Sequence, residues 1–297
     1  MKGGYGFRGG AALAASLMFV GAGIGGQAEA TVFDPGDYVP APPGTTVFLV
    51  YGQHADAKGL YNNGQEVDPN AELSSDVLLL RYVKYVEIAG MTVDFQVVQP
   101  YVALQGKGSS APLGKTSGLG DTFFVTTWWV HNNPSRRSYL GVTGYLWIPV
   151  GEYDRSKALN PGDNRFKGTI QLVYVKGLSE KFYLEGSLDA QFFGRNNQYI
   201  GSNTLTQKPL YQALGFVRYI PDPKNEINIR LSYATGGRTT VAGLQSNDRQ
   251  ENSAFLVGYR HNFTPTLQLI LQAGRDIDTH SGFRERGRYQ FRIAKAF

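Results

Sequence analysis

The sequence predicts an all-β protein, a transmembrane antiparallel β-barrel of about 12 strands with short periplasmic turns and long extracellular loops. Three observations support this prediction: an export signal at the amino terminus, a two-residue alternation of apolar and polar side chains, and connectors that alternate between long and short. Such alternation marks strands that have a different solvent on each face. The same features place the chain in the outer membrane of a Gram-negative bacterium.

The amino terminus has the organisation of a secretory signal peptide. Lys2 and Arg8 precede an apolar, glycine-rich run over 11–25, and Ala28-Glu29-Ala30 follows as a cleavage motif. A membrane anchor is the alternative, but this run is shorter than the roughly 20 residues that span a bilayer. We therefore predict a signal peptide over residues 1–30.

Composition excludes several classes of function. The chain has no cysteine, which excludes disulfides and thiolate metal sites. Its formal net charge is +5 and its charges are spread along the chain, so no nucleic acid is expected as a partner. No stretch after the signal is long and apolar enough for a transmembrane helix. Outer-membrane lipid and a small-molecule solute are the expected partners.

The mature chain divides into a lead-in and one barrel domain. Residues 31–44 include four prolines from Pro35 to Pro43, which prevent a helix or central strand, and we interpret them as an extended periplasmic lead-in. Residues 45–297 form the barrel. The predicted strands are 45–53, 76–87, 91–104, 121–130, 139–149, 165–176, 181–193, 209–220, 226–235, 252–263, 266–276 and 287–297.

Several strands alternate cleanly enough for both faces to be assigned. In the seventh predicted strand, Phe182, Leu184 and Leu188 fall on the outward face, whereas Glu185 and Asp189 fall on the inward face. The ninth and eleventh strands divide in the same way. The second and fourth are apolar on both faces, so their orientation stays open.

The connectors decide between a barrel and a soluble sandwich. Long segments such as 55–74, 105–120 and 150–164 alternate with short ones such as 88–90 and 177–180. A soluble sandwich has no reason to place every long loop at one end, whereas an outer-membrane barrel does so. Because lipid offers no hydrogen-bond partner, the sheet must close, and the last strand is expected to pair with the first.

The last strand, 287–297, has an apolar side formed by Tyr289, Phe291, Ile293 and Phe297. We expect Phe297 to lie in the aromatic girdle at the periplasmic boundary. This carboxyl-terminal strand is also the expected contact with the outer-membrane assembly machinery.

The inward faces predict a charged lumen with a basic wall and an acidic wall. In one interpretation these charges pair across the barrel and stiffen it; in the other they set up a transverse field that orients a polar or anionic solute. A barrel of this width should leave a narrow pore or a ligand-sized cavity. The lumen candidates are Arg218, Arg230, Arg260, Arg288, Arg292, Asp94, Glu185 and Asp189.

The sequence predicts no catalytic site, no metal centre and no cofactor. The histidines His54, His131, His261 and His280 are scattered and lack metal-ligand spacing. No Gly-x-Ser-x-Gly motif is present. Asp121 ends a Gly-Leu-Gly-Asp stretch, which we interpret as a tight transition from loop to strand in which its carboxylate bonds loop backbone.

Three stretches resemble one family of outer-membrane proteins. They are 38–51 (YVPAPPGTTVFLVY), 117–121 (SGLGD) and 149–166 (PVGEYDRSKALNPGDNRF), and they are similar to the family named for the meta-pathway of phenol degradation. The third stretch departs slightly from the family pattern at Val150 and Pro161. The resemblance implies a barrel that admits hydrocarbon or phenolic substrates, and it carries over no ligand residue.

The motif residues of the third stretch fall in a long loop and at the start of the next strand. We interpret them first as residues that hold the loop structure and second as a gate. With Asp121, these candidates are Tyr153, Asp154, Asn160, Asn164 and Arg165.

Three functions remain open from the sequence. The leading hypothesis is an outer-membrane channel that passes small aromatic or phenolic solutes by passive diffusion. The alternatives are an anion or acidic-sugar porin, favoured by the inward arginines, and a plugged structural or surface-interaction barrel, favoured by the narrow lumen. A pocket lined by Tyr and Phe would favour aromatic solutes, whereas an open charged channel would favour polar ones.

Overall fold

The computed structural model describes residues 33–297, so the predicted signal peptide over 1–30 lies outside the described residues. In chain order the strands are β1 (Thr46–Asn62), β2 (Gln65–Ile88), β3 (Met91–Gly108), β4 (Lys115–Leu119), β5 (Phe123–Asn133), β6 (Ser138–Trp147), β7 (Lys167–Gly177), β8 (Phe182–Phe193), β9 (Asn196–Tyr199), β10 (Asn203–Gln207), β11 (Leu210–Asp222), β12 (Asn225–Gly236), β13 (Thr239–Val241), β14 (Leu244–Gln245), β15 (Gln250–Thr264), β16 (Leu267–Asp278) and β17 (Gly282–Ala296).

Twelve of these strands form a closed antiparallel barrel, which confirms the predicted fold class. Each barrel strand pairs with its neighbours along the chain, and β1 pairs with β17 to close the sheet. β3 pairs with β5 along one half of its length and with β4 along the other. Thr46 and Phe297 exchange backbone hydrogen bonds at the end where the short turns lie, so the chain closes the barrel at the periplasmic rim.

The predicted alternation is confirmed in the burial of the side chains. On β8, Leu184 and Leu188 are exposed on the outer face, whereas Glu185 and Asp189 are buried in the lumen. The outer surface therefore presents apolar side chains to lipid while the lumen is polar. The orientation that the sequence left open is now assigned, because Leu80 of β2 is exposed and Val125 of β5 is buried.

Several predicted loops are more ordered than expected. β1 and β2 continue pairing through the predicted loop 55–74 and meet at Asn63-Gly64, where both residues have positive φ (53° and 77°). Two such residues form the turn that suits a tight hairpin.

Segments 194–208 and 236–251 contribute β9, β10, β13 and β14 to a separate four-stranded sheet. Beyond the membrane the backbone still needs hydrogen-bond partners, and strand pairing supplies them.

Residues 33–41, which we call the plug segment, lie inside the periplasmic end of the barrel. Phe33 and Tyr38 are only 2% and 4% exposed. The predicted extended periplasmic lead-in therefore differs from the structure over these residues. The prolines prevent regular structure, but they do not prevent the two aromatic rings from burying their area against the barrel wall. The buried cluster around the rings contains Phe33, Tyr38, Trp129, Tyr139, Val173, Val175, Leu214 and Phe216.

Within residues 33–297, no helix has the length and apolar character needed to cross a membrane.

Candidate functional site: the barrel lumen

Glu226 lies at the centre of an ion-pair network in the lumen and is completely buried. Its Oε2 accepts hydrogen bonds from Arg218 Nη2 (2.7 Å) and contacts Arg260 Nη2 (2.8 Å). Arg218 also pairs with Glu185. Strand register explains the cluster, since Glu226 of β12 lies directly opposite Arg260 of β15. The side chains of directly opposed residues point to the same face of the sheet and meet there.

The plug segment is tied to this wall and to its neighbours by charged groups. The backbone N–H of Gly36 donates to Glu185 Oε1 (3.0 Å). Arg292 Nη1 of β17 donates to Asp37 Oδ1 (2.6 Å) and to Asp34 Oδ2 (3.1 Å). The positive charge of Arg292 is thus neutralised by two carboxylates of the plug segment rather than by a carboxylate of the barrel.

Tyr38 anchors the other side of the plug segment. Its hydroxyl donates to Gln171 Oε1 (2.8 Å) and lies 2.6 Å from Thr143 Oγ1. Its backbone carbonyl accepts a hydrogen bond from the indole N–H of Trp129 (3.0 Å). The plug segment therefore contacts β5, β6 and β7 in addition to the charged wall.

Most of the predicted lumen charges have partners in the structure. Arg218, Arg260 and Arg292 pair as described, and Arg288 Nε donates to Glu285 Oε2 (2.7 Å). Arg230 is the exception among the five arginines, because it forms no ion pair with any residue from 33 to 297.

The predicted acidic residues are also bonded. Asp94 accepts hydrogen bonds from the backbone N–H of Thr127 (2.9 Å) and from Gln96 Nε2 (2.8 Å). Asp189 accepts a hydrogen bond from Gln171 Nε2 (3.2 Å). The structure therefore brings Glu185 to the arginine wall, whereas Asp94 and Asp189 lie among amide side chains.

Four acidic residues that pair with the lumen arginines were not predicted from the sequence: Glu226, Glu285, Asp34 and Asp37. Glu226 could have been predicted, because it lies two residues before Asn228 and four before Arg230, on the same inward face of one strand. Asp34 and Asp37 gave no such signal, since they lie in a segment without strand periodicity. Only the folded chain shows that they neutralise Arg292.

A cavity of about 280 Å³ lies between the plug segment and the barrel wall formed by β1, β2, β3, β5, β6, β15, β16 and β17. Aliphatic side chains such as Val47 and Val98 form part of its lining. Four charged side chains also line it: Asp37, Arg81, Asp94 and Arg292. Its aromatic lining consists of Phe33, Tyr38, Tyr51, Tyr85, Phe123 and Tyr145.

The third family motif forms a tightly bonded extracellular loop. Asp121 is buried, and its carboxylate accepts hydrogen bonds from the backbone N–H groups of Gly151 (3.0 Å) and Asp163 (2.9 Å). Burial acts to raise the pKa of the Asp163 carboxyl, but Lys167 and Arg165 outweigh it and hold this pKa at about 2.

Tyr153 and Asn164 bond to the neighbouring connector, 194–208, whereas Asp154 and Asn160 bond to each other within their own loop. The Tyr153 hydroxyl donates to the Gln198 carbonyl (3.0 Å), and Asn164, with φ of 52°, points its amide at Asn196 (3.3 Å). Asn160 Oδ1 accepts from the backbone N–H of Asp154 (2.7 Å). These contacts all lie within the extracellular loops.

Arg165 links the same loop to the barrel. Its Nη2 donates to Gln207 Oε1 (2.7 Å), and its guanidinium lies 4.8 Å from the centre of the Phe193 ring. Among residues 33–297, no group of three or more His, Cys, Asp and Glu side chains is placed to hold a metal ion.

Comparisons with solved structures find other outer-membrane barrels. The COG4313 outer membrane channel from Pseudomonas putida F1 is 34% identical with a TM-score of 0.87, covering 90% of this chain and 100% of that one. The β domain of the Bordetella autotransporter BrkA has a TM-score of 0.55 at 9% identity, covering 86% and 100%. The transport unit of AIDA-I from Escherichia coli has a TM-score of 0.50 at 9% identity, covering 96% of each chain. The two autotransporter domains show a shared fold alone.

No curated protein sequence matches this chain. The family model described as "Putative MetA-pathway of phenol degradation" matches residues 57–293. The protein is located in the outer membrane of a Gram-negative bacterium. The chain belongs to this phenol-degradation family of outer-membrane barrels.

Proposed function

We propose that the protein is a passive outer-membrane channel that admits small aromatic solutes through its lumen. The observation that carries this proposal is the cavity of about 280 Å³ beside the plug segment, with its lining of Tyr and Phe rings. Ligand sites are concave, mostly apolar, and contain a few polar groups that fix orientation. Tyr and Phe rings favour edge-to-face and offset-stacked contacts with other rings, which aliphatic solutes cannot make.

Two comparisons support the proposal. The family description refers to phenol degradation, and a relative that is 34% identical is an outer membrane channel. The solute must be small because the plug segment and its ion pairs narrow the periplasmic end of the lumen.

The plug segment is the element that we propose to shift as a solute passes. Residues 33–41 belong to no strand, so their movement breaks no barrel ladder. Arg292, Glu185 and Trp129 contact the segment through individual hydrogen bonds. Segments held in this way open at lower free-energy cost than the strands around them.

Swelling of proteoliposomes tests the proposal with two zwitterions that differ only in their ring, phenylalanine and cyclohexylalanine. We expect phenylalanine to enter at least about twofold faster, because only its ring has the quadrupole that aromatic linings favour. Tyr85→Ala, in the cavity, should reduce the preference. Tyr233→Ala, on the lipid face, is the matched control. Equal entry of both solutes, or no entry, would reject the proposal.

A plugged structural barrel is the second candidate, because the plug segment occupies the lumen and pairs with Arg292. It predicts no solute entry and no ion conductance in planar bilayers. The anion or acidic-sugar porin is less favoured, since four of the five lumen arginines pair with carboxylates within the chain.

We also propose that the assembly machinery recognises β17. Its terminal Phe297 is 71% exposed and lies against Phe48 of β1, with ring centres 6.0 Å apart. A ring at the free end of the closing strand is accessible before the barrel closes.

A further inference from the structure

Arg230 is a buried guanidinium whose Nε and Nη1 have no hydrogen-bond partner among residues 33–297. The side chain lies on the inward face of β12 and is only 3% exposed. Arginine stays protonated in proteins and carries only donors, so Arg230 keeps its positive charge in the lumen. A buried charge without a partner is costly, and buried charges in proteins are normally paired.

The side chain lines a second cavity, of about 40 Å³, which is separate from the aromatic cavity. β12, β15, β16 and β17 form this cavity together with β11. A cavity of this size exceeds the volume needed for one water, and it fits the head group of a small solute. Because Arg288 lies four residues nearer the extracellular end of β17 than Arg292, the cavity lies on the extracellular side of the plug segment.

The other polar groups around this cavity are already engaged or accept hydrogen bonds. Arg288 is held by both carboxylate oxygens of Glu285. Asp276 Oδ2 accepts from the hydroxyl of Thr279 and from the backbone N–H of Glu285. The Gln212 Oε1 acceptor has no partner among residues 33–297. Arg275 also lines this cavity, but it is exposed. Arg230 is therefore the buried cationic donor in this cavity that is free to bind an incoming group.

We infer that Arg230 binds the carboxylate of a small organic acid on its way through the lumen. A guanidinium matches the two oxygens of a carboxylate in a planar, bidentate pair, which it forms through Nη2 together with either Nε or Nη1. Gln212 Oε1 can accept a hydrogen bond from a hydroxyl group of the same solute. This inference rests on the proposed function and narrows it, since it selects aromatic acids from among aromatic solutes.

Calorimetry on the full-length mature protein in detergent tests the inference with benzoate and with benzamide, its neutral analogue. We expect benzoate to bind at least about tenfold more tightly than benzamide, because hydrogen bonds between charged groups are stronger than those to a neutral amide. Arg230→Gln should abolish this preference and leave benzamide binding unchanged. Arg230→Lys, which retains the charge but loses the planar fork, should keep part of it.

Arg249→Gln is the matched control, because Arg249 is an exposed arginine paired with Glu251. This variant should keep the full preference for benzoate. Arg230→Gln removes an unpaired buried charge, so it should fold at least as stably as the natural protein; benzoate should raise the melting temperature of the natural protein and not that of the variant.

Equal binding of benzoate and benzamide by the natural protein would overturn the inference. So would a preference for benzoate that survives in Arg230→Gln. Swelling with phenylalanine and cyclohexylalanine on the same preparations keeps the two proposals apart. Arg230→Gln could still favour phenylalanine over cyclohexylalanine while the natural protein binds benzoate and benzamide equally. That result would leave the channel proposal standing and reject the Arg230 site.

Discussion

At the scale of single residues, the lumen is organised by carboxylates that serve more than one arginine. Glu226 is fully buried and neutralises both Arg218 and Arg260. Removing one partner of a buried ion pair leaves an uncompensated charge, which costs far more than the pair contributes when intact. Glu226 is therefore expected to matter more for stability than any exposed carboxylate.

The substitution Glu226→Gln should lower the free energy of unfolding by about 3–5 kcal/mol, because two buried arginines lose the negative charge that compensates both of them. Urea unfolding in detergent micelles measures the change. The control Glu251→Gln breaks the more exposed pair with Arg249, and it should cost about 0–1 kcal/mol. Equal effects of the two substitutions would contradict the role given to Glu226.

The alternation of residues predicted which side chains enter the lumen, but not how they pair. Glu185 and Arg218 were each predicted to face the lumen from the pattern of a single strand, and both are buried. Their contact depends on the register between β8 and β11, which places Arg218 opposite Tyr183. Register is set by turns and packing across strands, so a single strand's pattern does not contain it.

At the scale of elements, the extracellular loop over 148–166 is held by carboxylates that accept backbone N–H groups and face basic side chains. Asp163 lies 2.8 Å from Lys167 Nζ, and the low pKa of Asp163 shows that its charged form is favoured in the folded loop. A carboxyl with a lowered folded pKa adds stability above its ordinary pKa of about 3.9. That stability is lost as pH falls toward the folded value of about 2.

Pepsin cleavage measures this pH dependence. In the natural protein, the loop over 148–166 should resist nicking at pH 4 and become sensitive as pH falls toward 2. Asp163→Asn lacks the charge at every pH, so it should be nicked already at pH 4. Asp154→Asn, in an exposed part of the same loop, is the control and should behave like the natural protein at pH 4. Identical cleavage of all three at pH 4 would refute the assignment.

The plug segment is the element that limits the lumen. Asp34 and Asp37 tie it to Arg292, and the double substitution Asp34→Asn/Asp37→Asn removes both ion pairs. Single-channel conductance in planar bilayers should rise at least about twofold. The narrowest part of the lumen limits the ion current, and the double substitution releases the segment that narrows it. Asp278→Asn, at the exposed extracellular end of β16, is the control. Unchanged conductance in the double variant would show that the segment does not limit the lumen.

The sequence predicted all twelve barrel strands but not the full length of the first hairpin. Polar residues such as Asp68 and Glu72 in β2 lie in a segment predicted to be a loop, yet they pair in a ladder that extends beyond the membrane. The path of the plug segment was not predictable either. Its burial depends on partners from six or more strands, and no local pattern in residues 33–41 encodes them.

At the scale of the whole molecule, the barrel separates an apolar outer surface from a charged lumen. On the outer face of β1, Phe48 and Val50 give way to His54 and Asp56 toward the extracellular end. His54 contacts Asp56 (2.8 Å) and Asp76 (2.7 Å). This change marks the extracellular border of the apolar belt, as expected for a barrel that contacts lipid along only part of its height.

We propose that aromatic solutes cross the membrane through this lumen. The most direct test is the initial rate of phenol entry into vesicles whose outer leaflet is lipopolysaccharide. The protein should raise this rate above that of protein-free vesicles, and Asp34→Asn/Asp37→Asn should raise it further. Entry at the protein-free rate, with or without the plug contacts, would contradict the account.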